Sequence, residues 1–305
     1  MRTIALACCL SLALLAACVA PAAQTNPPAA PAADDPSAIS VQADSAAEPT
    51  ALTEPTATAP APLPGLCQNP LMPLAPGAAW HYQVTNPRGT FEYTIEALEL
   101  AKDRTQTIGL RFTNHHANTV KEEPTVCQDG ALDNYPTYFI DMLFADLLDK
   151  SLNTVHMEQP ALPAYSALAG NGWVLDWNSL YQTEDGATLR APGQEADVFA
   201  DAIVIGGSSD VELAYSMDGS SEPVRVPAGD YDTLVVKHTF EFLVTIPAKY
   251  TNSAAATLRV YATQWYAPNV GLVKAQVEKA VIRSGGLEIE IPLAGTLELT
   301  GVVLP

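Results

Sequence analysis

The stretch LVVKHTFEFLVTI, residues 234–246, decides the fold of this chain. Apolar and polar side chains alternate along most of it. A β-strand points successive side chains to opposite faces, so this pattern predicts a strand with one apolar and one polar face. Strands of this kind are typical of antiparallel sheets that pack one face on the core and expose the other to water.

Other segments carry the same alternation and extend the prediction to a whole sheet. Glycine-rich and proline-rich turn signals separate them, for example Asp218-Gly219 and Ser284-Gly285-Gly286. The chain lacks the regular strand–helix alternation that builds parallel sheets. The predicted strands lie in residues 80–84, 91–96, 107–112, 198–205, 211–215, 234–246, 258–266, 272–282 and 287–303.

Residues 137–152 show a different spacing, with apolar residues recurring every three to four positions. This spacing predicts a helix that packs across the sheet or, alternatively, forms a mobile lid over a lipid pocket. We therefore expect a mainly β fold: a single antiparallel, strongly curved sheet, or an open barrel or sandwich, with one helix packed on it. A disordered N-terminal linker precedes it.

The N-terminus has the features of an export signal. A short basic start, Met1-Arg2-Thr3, precedes an uncharged, Leu-rich and Ala-rich run over residues 4–17. That run is too short to span about 30 Å of hydrocarbon and has the length of a signal-peptide core. The run ends in Leu15-Ala16-Ala17-Cys18, which resembles the lipobox of bacterial lipoproteins.

The lipobox resemblance implies that residues 1–17 are removed and that Cys18 carries acyl chains. The bilayer would then be the partner of Cys18, and the protein would be extracytoplasmic, held at the cell membrane or the outer membrane. The alternative is an ordinary secretory signal that is cut further on, for example after Ala23.

Residues 18–65 follow as a predicted tether. From 19 to 65 the chain contains no Lys, Arg or aromatic residue, and 15 Ala and 10 Pro account for 25 of these 47 residues. Such a segment cannot bury enough apolar surface to offset its ordering entropy. We expect a disordered spacer over 18–65 and one β-rich extracytoplasmic domain over 66–305.

Charge excludes one class of partner. The chain has 15 basic and 34 acidic residues, with a formal net charge of −19 and a pI near 4.4. A surface this acidic repels phosphate and lacks the basic patch that supplies most nucleic-acid affinity. We therefore expect no nucleic-acid partner.

Two cysteines, Cys67 and Cys127, are left in the chain after Cys18. An even pair in an exported protein predicts a disulfide, with free thiols as the alternative. Closing a loop of about 60 residues would stabilise the fold by roughly 4 kcal/mol in the chain-entropy treatment.

Few residues are candidates for catalysis or metal binding, and no common catalytic or phosphate-binding motif occurs. His115 and His116 lie in a polar stretch that predicts a loop, where a metal could be shared only from an irregular turn. Asp230 and Asp232 are paired carboxylates that lack the further ligands of a calcium loop. We expect no catalytic residue, no cofactor and no metal ligand, while a metal at His115/His116 or Asp230/Asp232 stays open.

Two C-terminal motifs carry a resemblance. VPAGDYDTLVV, residues 226–236, precedes WYAPNVGLVK, residues 265–274. This pairing resembles a module of uncharacterised secreted bacterial proteins and lipoproteins, with a VPAG-x-aromatic turn and a C-terminal hairpin. The resemblance implies a curved antiparallel sheet similar to those of lipoprotein carriers. Pro227, Gly229, Pro268 and Gly271 would set its turns.

These features favour a membrane-anchored lipoprotein with a binding or structural role at the cell envelope, and not an enzyme. One alternative is a carrier that holds a lipid or another hydrophobic ligand in a curved-sheet cavity. Another is a hydrolase with dispersed carboxylates. An empty apolar cavity would favour the carrier, and clustered desolvated carboxylates would favour the hydrolase.

Overall fold

The alternation read from the sequence becomes a long antiparallel sheet in the computed structural model. The structure describes residues 69–98, 107–133, 142–144, 147, 154–184, 186–189, 203–205, 210–245, 255–291 and 293–305. These residues belong to one compact unit, Thr56–Pro305. The predicted signal peptide, Cys18, the tether and Cys67 lie outside the described residues.

The described residues form fifteen strands and one short complete helix. The helix, α1, spans Tyr165–Gly170. The strands are β1 (Ala79–Asn86), β2 (Gly89–Ala97), β3 (Thr107–Asn114), β4 (Thr119–Gln128), β5 (Ala131–Leu132), β6 (Thr154–Glu158), β7 (Val174–Thr183), β8 (Ala187–Leu189), β9 (Ile203–Ile205), β10 (Asp210–Val226), β11 (Gly229–Thr245), β12 (Ala255–Ala267), β13 (Gly271–Ser284), β14 (Leu287–Ile291) and β15 (Gly295–Val303).

All strand pairs in the described part are antiparallel, and most neighbours in the sheet are also neighbours in the chain. The order is β5-β4-β3-β2-β1-β15-β13-β12-β11-β10-β7-β6. The last strand, β15, inserts between β1 and β13 and so joins the N-terminal and C-terminal parts of the meander. The predicted mainly β, single antiparallel and open sheet is confirmed.

A buried asparagine holds the chain near the two edges of this sheet. Leu132 in β5 exchanges two backbone hydrogen bonds with Leu162, which follows β6. Asn69 is 1% exposed, and its Nδ2 donates to the carbonyls of Gly130 and Pro163 at 2.8 and 2.9 Å. The side chain of Asn69 therefore links the start of the described residues to the segment before β5 and to the segment after β6.

The inward face of the sheet forms the core. Phe240, Val260, Leu272 and Leu297 have no exposed surface. A side chain bordering a water-accessible cavity would retain some exposed surface, so these side chains fill the interior and do not line a pocket. Trp80, also fully buried, donates from Nε1 to the carbonyl of Val270 at 2.6 Å.

The two C-terminal motifs meet this core at their turns. Gly271 has φ +112°, and a Cβ there would lie 3.1 Å from Nε1 of Trp80. The position therefore requires glycine on both backbone and steric grounds. The backbone N–H of Ala228 donates to the carbonyl of Leu299 in β15 at 3.1 Å. These contacts are structural, while membership of the resembling lipoprotein group stays a prediction.

Several predicted boundaries were wrong. Asp218-Gly219 is not a turn between strands: it lies inside β10 as a bulge, where the register shifts between Met217 and Ser221. The predicted strand over 287–303 divides into β14 and β15. The predicted ranges contain no strand at β4, β5, β6, β7 or β8, and α1 was also missed.

The predicted helix over 137–152 lies largely outside the described residues. Met142 and Leu143 are helical there, and Met142, Leu143, Phe144 and Leu147 are buried. Of the predicted strand over 198–205, only β9 is described. No helix in the described part of the chain is long and apolar enough to cross a bilayer.

Candidate functional site

The outward face of the longest strands contains a solvent-open depression of about 440 Å³. Strands β7 and β10–β13 form its floor. Tyr215, His238 and Ala262 are buried because they point into the core, so they border the depression with their main chain. The side chains that line it are mostly polar, and they include Asp176, Asn178, Ser216, Lys237, Tyr261 and Glu278.

A β-bulge directs Glu278 into this depression. Tyr261 pairs with Lys279 and Ala262 pairs with Val277, so Glu278 is the extra residue on β13. Bulges commonly re-aim a side chain. Thr263, itself buried, donates from Oγ1 to Oε1 of Glu278. The carboxylate is thus held on one side and keeps a second oxygen for another partner.

An ion pair lies beside Tyr261. Glu241 in β11 accepts from Nε of Arg259, which lies two residues before Tyr261 on the same side of β12. Interactions with Tyr261 and Glu241 raise the pKa of Arg259 above its usual value. The guanidinium therefore stays charged next to Tyr261.

Lys237 is the basic side chain among the lining residues, and carboxylates offset its charge. The pKa of Asp218 is lowered, first by hydrogen bonds from Ser220 and then by the charge of Lys237. Asp176 lies on β7, two strands away from Lys237, and also lines the depression. The field of Lys237 therefore acts in a region that also contains carboxylates.

An aromatic stack supports the depression from the inward side. Trp177, Tyr215 and His238 occupy directly paired positions on β7, β10 and β11. Tyr215 stacks on Trp177 at 4.7 Å and on His238 at 4.0 Å between ring centroids. Burial holds the pKa of His238 well below its usual value, so its imidazole is neutral at physiological pH.

The histidines singled out from the sequence do not gather at the depression. His115 and His116 lie in the turn between β3 and β4, as predicted. Nε2 of His115 and Nδ1 of His81 both contact Oγ1 of Thr94, at 2.7 and 3.2 Å, and His116 packs edge-on against Phe91. His156 lies in β6.

The paired aspartates are also separate from the depression. Asp230 and Asp232 are exposed at the start of β11, and Asp230 forms a solvent-exposed ion pair with Arg225. Within the described ranges, no group of three or more His, Cys, Asp or Glu side chains is placed to hold a metal ion.

Cys127 is fully buried in β4. Its predicted partner Cys67 and the lipidation residue Cys18 both lie outside the described residues, so the disulfide and the lipid stay predictions. Asn69, two residues after Cys67, bonds Gly130, three residues after Cys127. This hydrogen bond brings the two chain segments close to each other.

Sequence reasoning missed the lining residues because none belongs to a catalytic motif. The sequence nevertheless indicates a polar face: on each long strand the polar residues occupy alternate positions, so they lie on one face of the sheet. The bulge at Glu278 could not be found this way, because it breaks the alternation.

The depression is suited to hydrogen bonding. It offers carboxylate acceptors, hydroxyl and amide groups, an ammonium donor and one aromatic ring, and most of its lining residues have a polar group on the side chain. Asp176 and Glu278 are exposed. Both carboxylates can therefore accept hydrogen bonds from a ligand that enters from solvent.

Comparison with known proteins gives only distant likenesses. No family model and no curated protein sequence matches the chain. A Bacteroides fragilis protein, provisionally described as exported and of YmcC-like fold, is 14% identical with a TM-score of 0.44, covering 77% of this chain and 99% of its own. A provisionally described lipoprotein from Parabacteroides distasonis is 16% identical with a TM-score of 0.40, over the same shares. These values are too low to assign a function.

Proposed function

We propose that this chain is a lipid-anchored protein of the bacterial cell envelope whose β-sheet domain binds a polar ligand in the outward depression. The observation that carries the binding role is that Thr263 already holds the carboxylate of Glu278 at the depression, close to Tyr261. Ligand sites that are pre-formed lose less free energy on ordering when the ligand arrives.

The anchor rests on the N-terminal sequence. The resemblance to a lipobox supports acylation of Cys18, and the Ala-rich and Pro-rich segment after it supports a spacer role. Intact mass of the protein from its own host tests this. We expect cleavage before Cys18 and added acyl mass, both lost in Cys18→Ser. A mature chain that begins after Ala23 would contradict the anchor.

The binding role is tested by native mass spectrometry of the protein purified from its own host. We expect a population with additional non-covalent mass. Glu278→Gln should lose that mass, because the bulge-directed carboxylate would lose its charge. Glu290→Gln is the matched control, since Glu290 is an exposed carboxylate on β14, away from the depression. Equal retention by both variants, or no bound mass in the wild type, would contradict the binding role.

The disulfide between Cys67 and Cys127 belongs to the same proposal. The hydrogen bond from Asn69 to Gly130, at 2.8 Å, supports the approach of the two segments that the pairing requires. In the denatured, unreduced protein we expect both cysteines to resist alkylation. Alkylation of either one without a reductant would show free thiols.

The alternatives receive less support from the described residues. A hydrophobic carrier would need an apolar cavity, and the inward side chains of β11, β12 and β15 are fully buried against one another. A hydrolase would need a desolvated carboxyl pair, and Asp176 and Glu278 are exposed.

A further inference from the structure

We infer that the depression takes a neutral, polyhydroxylated ligand, namely a segment of an uncharged oligosaccharide. This inference rests on the proposed binding function and specifies its ligand class. It depends on three features of the outward face: the kind of hydrogen-bonding groups, the balance of charge and the position of two aromatic rings.

The lining groups match the hydroxyls of a sugar. A sugar hydroxyl donates one hydrogen bond and accepts others, so it needs both kinds of partner close together. Asp176 and Glu278 accept, Lys237 donates, and Asn178 and Ser216 do both. A lipid chain would meet mostly residues with polar groups here, because ten of the twelve lining residues have a polar side-chain atom.

Charge disfavours an anionic ligand. The depression contains two carboxylates, Asp176 and Glu278, and one ammonium, Lys237, whose field already acts on Asp218. The chain as a whole has a formal net charge of −19, which repels phosphates and uronates at long range. The acidic lining would admit a neutral sugar without an unpaired buried charge.

Two aromatic rings lie on the outward side of one strand. Tyr261 and Trp265 are four residues apart on β12, about 14 Å at the usual rise of a strand. Trp265 is half-buried, and its Nε1 donates to Oε2 of Glu222 at 2.9 Å, while Nζ of Lys274 lies over one face of the ring, 5.7 Å from its centre. The half-buried rings of Tyr261 and Trp265 add flat apolar surface on which sugar rings can pack, and their spacing suits a chain of sugars.

The test is isothermal titration of the purified mature protein with three classes of probe. The first is a set of neutral di- to hexasaccharides built from glucose, galactose, mannose or N-acetylglucosamine. The second is an oligouronate, and the third is spermidine. We expect at least one neutral hexasaccharide to bind with a dissociation constant below about 1 mM, more tightly than its disaccharide and more tightly than the charged probes.

Variants locate the binding. Tyr261→Ala should weaken hexasaccharide binding about tenfold or more. Trp265→Ala should remove the gain from disaccharide to hexasaccharide and leave disaccharide binding unchanged. Arg283→Ala is the control, because Arg283 lies on β13 four residues beyond Lys279, forms an ion pair with Glu288 and does not line the depression.

Three results would overturn the inference. If the oligouronate or spermidine binds best and Tyr261→Ala abolishes that binding, the depression binds a ligand but the class is wrong. If a neutral sugar binds equally to Tyr261→Ala and wild type, the site is wrong. If no neutral probe binds below about 1 mM, the inference fails, and bound mass in host-purified protein still decides the binding role separately.

Discussion

The two faces of strands β10–β12 come from the same segments of the chain but differ in role: one packs in the core, and the other faces solvent. On the inward face, Tyr215, His238 and Phe240 pack ring against ring with almost no exposed surface. On the outward face, Lys237 on β11 and Tyr261 on β12 border an open polar depression. Each is next in sequence to a buried residue. Period-two geometry lets one strand stabilise the core and present a binding surface at once.

Substitutions on the two faces should therefore affect different properties. Inward substitutions should change the free energy of unfolding and leave the outward surface intact as long as the protein folds. Outward substitutions at the depression should weaken ligand binding and leave the free energy of unfolding nearly unchanged. Eleven polar side chains of the described residues are also buried, among them Asn69 and His238.

The largest effect is expected from an inward aromatic residue. Phe240→Ala removes a fully buried ring and should lower the free energy of unfolding by about 3–5 kcal/mol in urea denaturation. Leu243→Ala, on the outward side of the same strand at 54% exposure, should change it by about 0.5 kcal/mol or less. A similar loss of unfolding free energy in both variants would contradict the assignment of Phe240 to the core face and Leu243 to the solvent face.

Asn69→Ala tests whether a buried polar residue can matter as much as an apolar one. It removes two donated hydrogen bonds and the acceptor for the backbone N–H of Leu71, at 3.0 Å. Because the buried bond to the carbonyl of Pro163 and the part-buried bond to that of Gly130 are both lost, we expect a loss of about 2–4 kcal/mol in the same denaturation experiment. Asn171→Ala, exposed with one such bond, should cost about 0.5 kcal/mol. Equal costs would show that Asn69 has no special role.

His238 should make stability depend on pH. Its folded pKa lies below that of the unfolded chain, so the unfolded state binds more protons between the two values. The free energy of unfolding should therefore fall by up to about 1.4 kcal/mol per pH unit as pH drops below about 6.5. Urea denaturation at several pH values should show this component absent from His238→Phe and retained in His81→Phe. The same slope in His238→Phe would contradict the assignment.

The fold class could be predicted because it depends on local alternation. Residues 234–246 already indicate which side chains enter the core, and the structure buries Val236, His238, Phe240 and Phe242 on one face. Features that depend on long-range contacts could not be predicted. The insertion of β15 between β1 and β13 joins segments far apart in sequence, and no local pattern encodes it.

The candidate site was less predictable than the fold. His115 and Asp230 were candidates because their side chains are chemically versatile, yet His115 contacts Thr94 and Asp230 lies in an exposed ion pair. The lining residues come from five strands and meet only in space. The Asp218-Gly219 bulge shows the same limit, since a turn signal inside a long strand produces a register shift and not a reversal.

Adjacent residues on β12 give the most direct measurement, since Val260 has no exposed surface and Tyr261 lines the depression. For host-purified Val260→Ala and Tyr261→Ala, both the free energy of unfolding and the bound mass in native spectra should be measured. Val260→Ala should lose about 1–3 kcal/mol of stability and keep the bound mass. Tyr261→Ala should stay within about 0.5 kcal/mol of wild type and lose it. If Tyr261→Ala keeps the bound mass, or if Val260→Ala loses it while still folded, the outward face is not the binding surface.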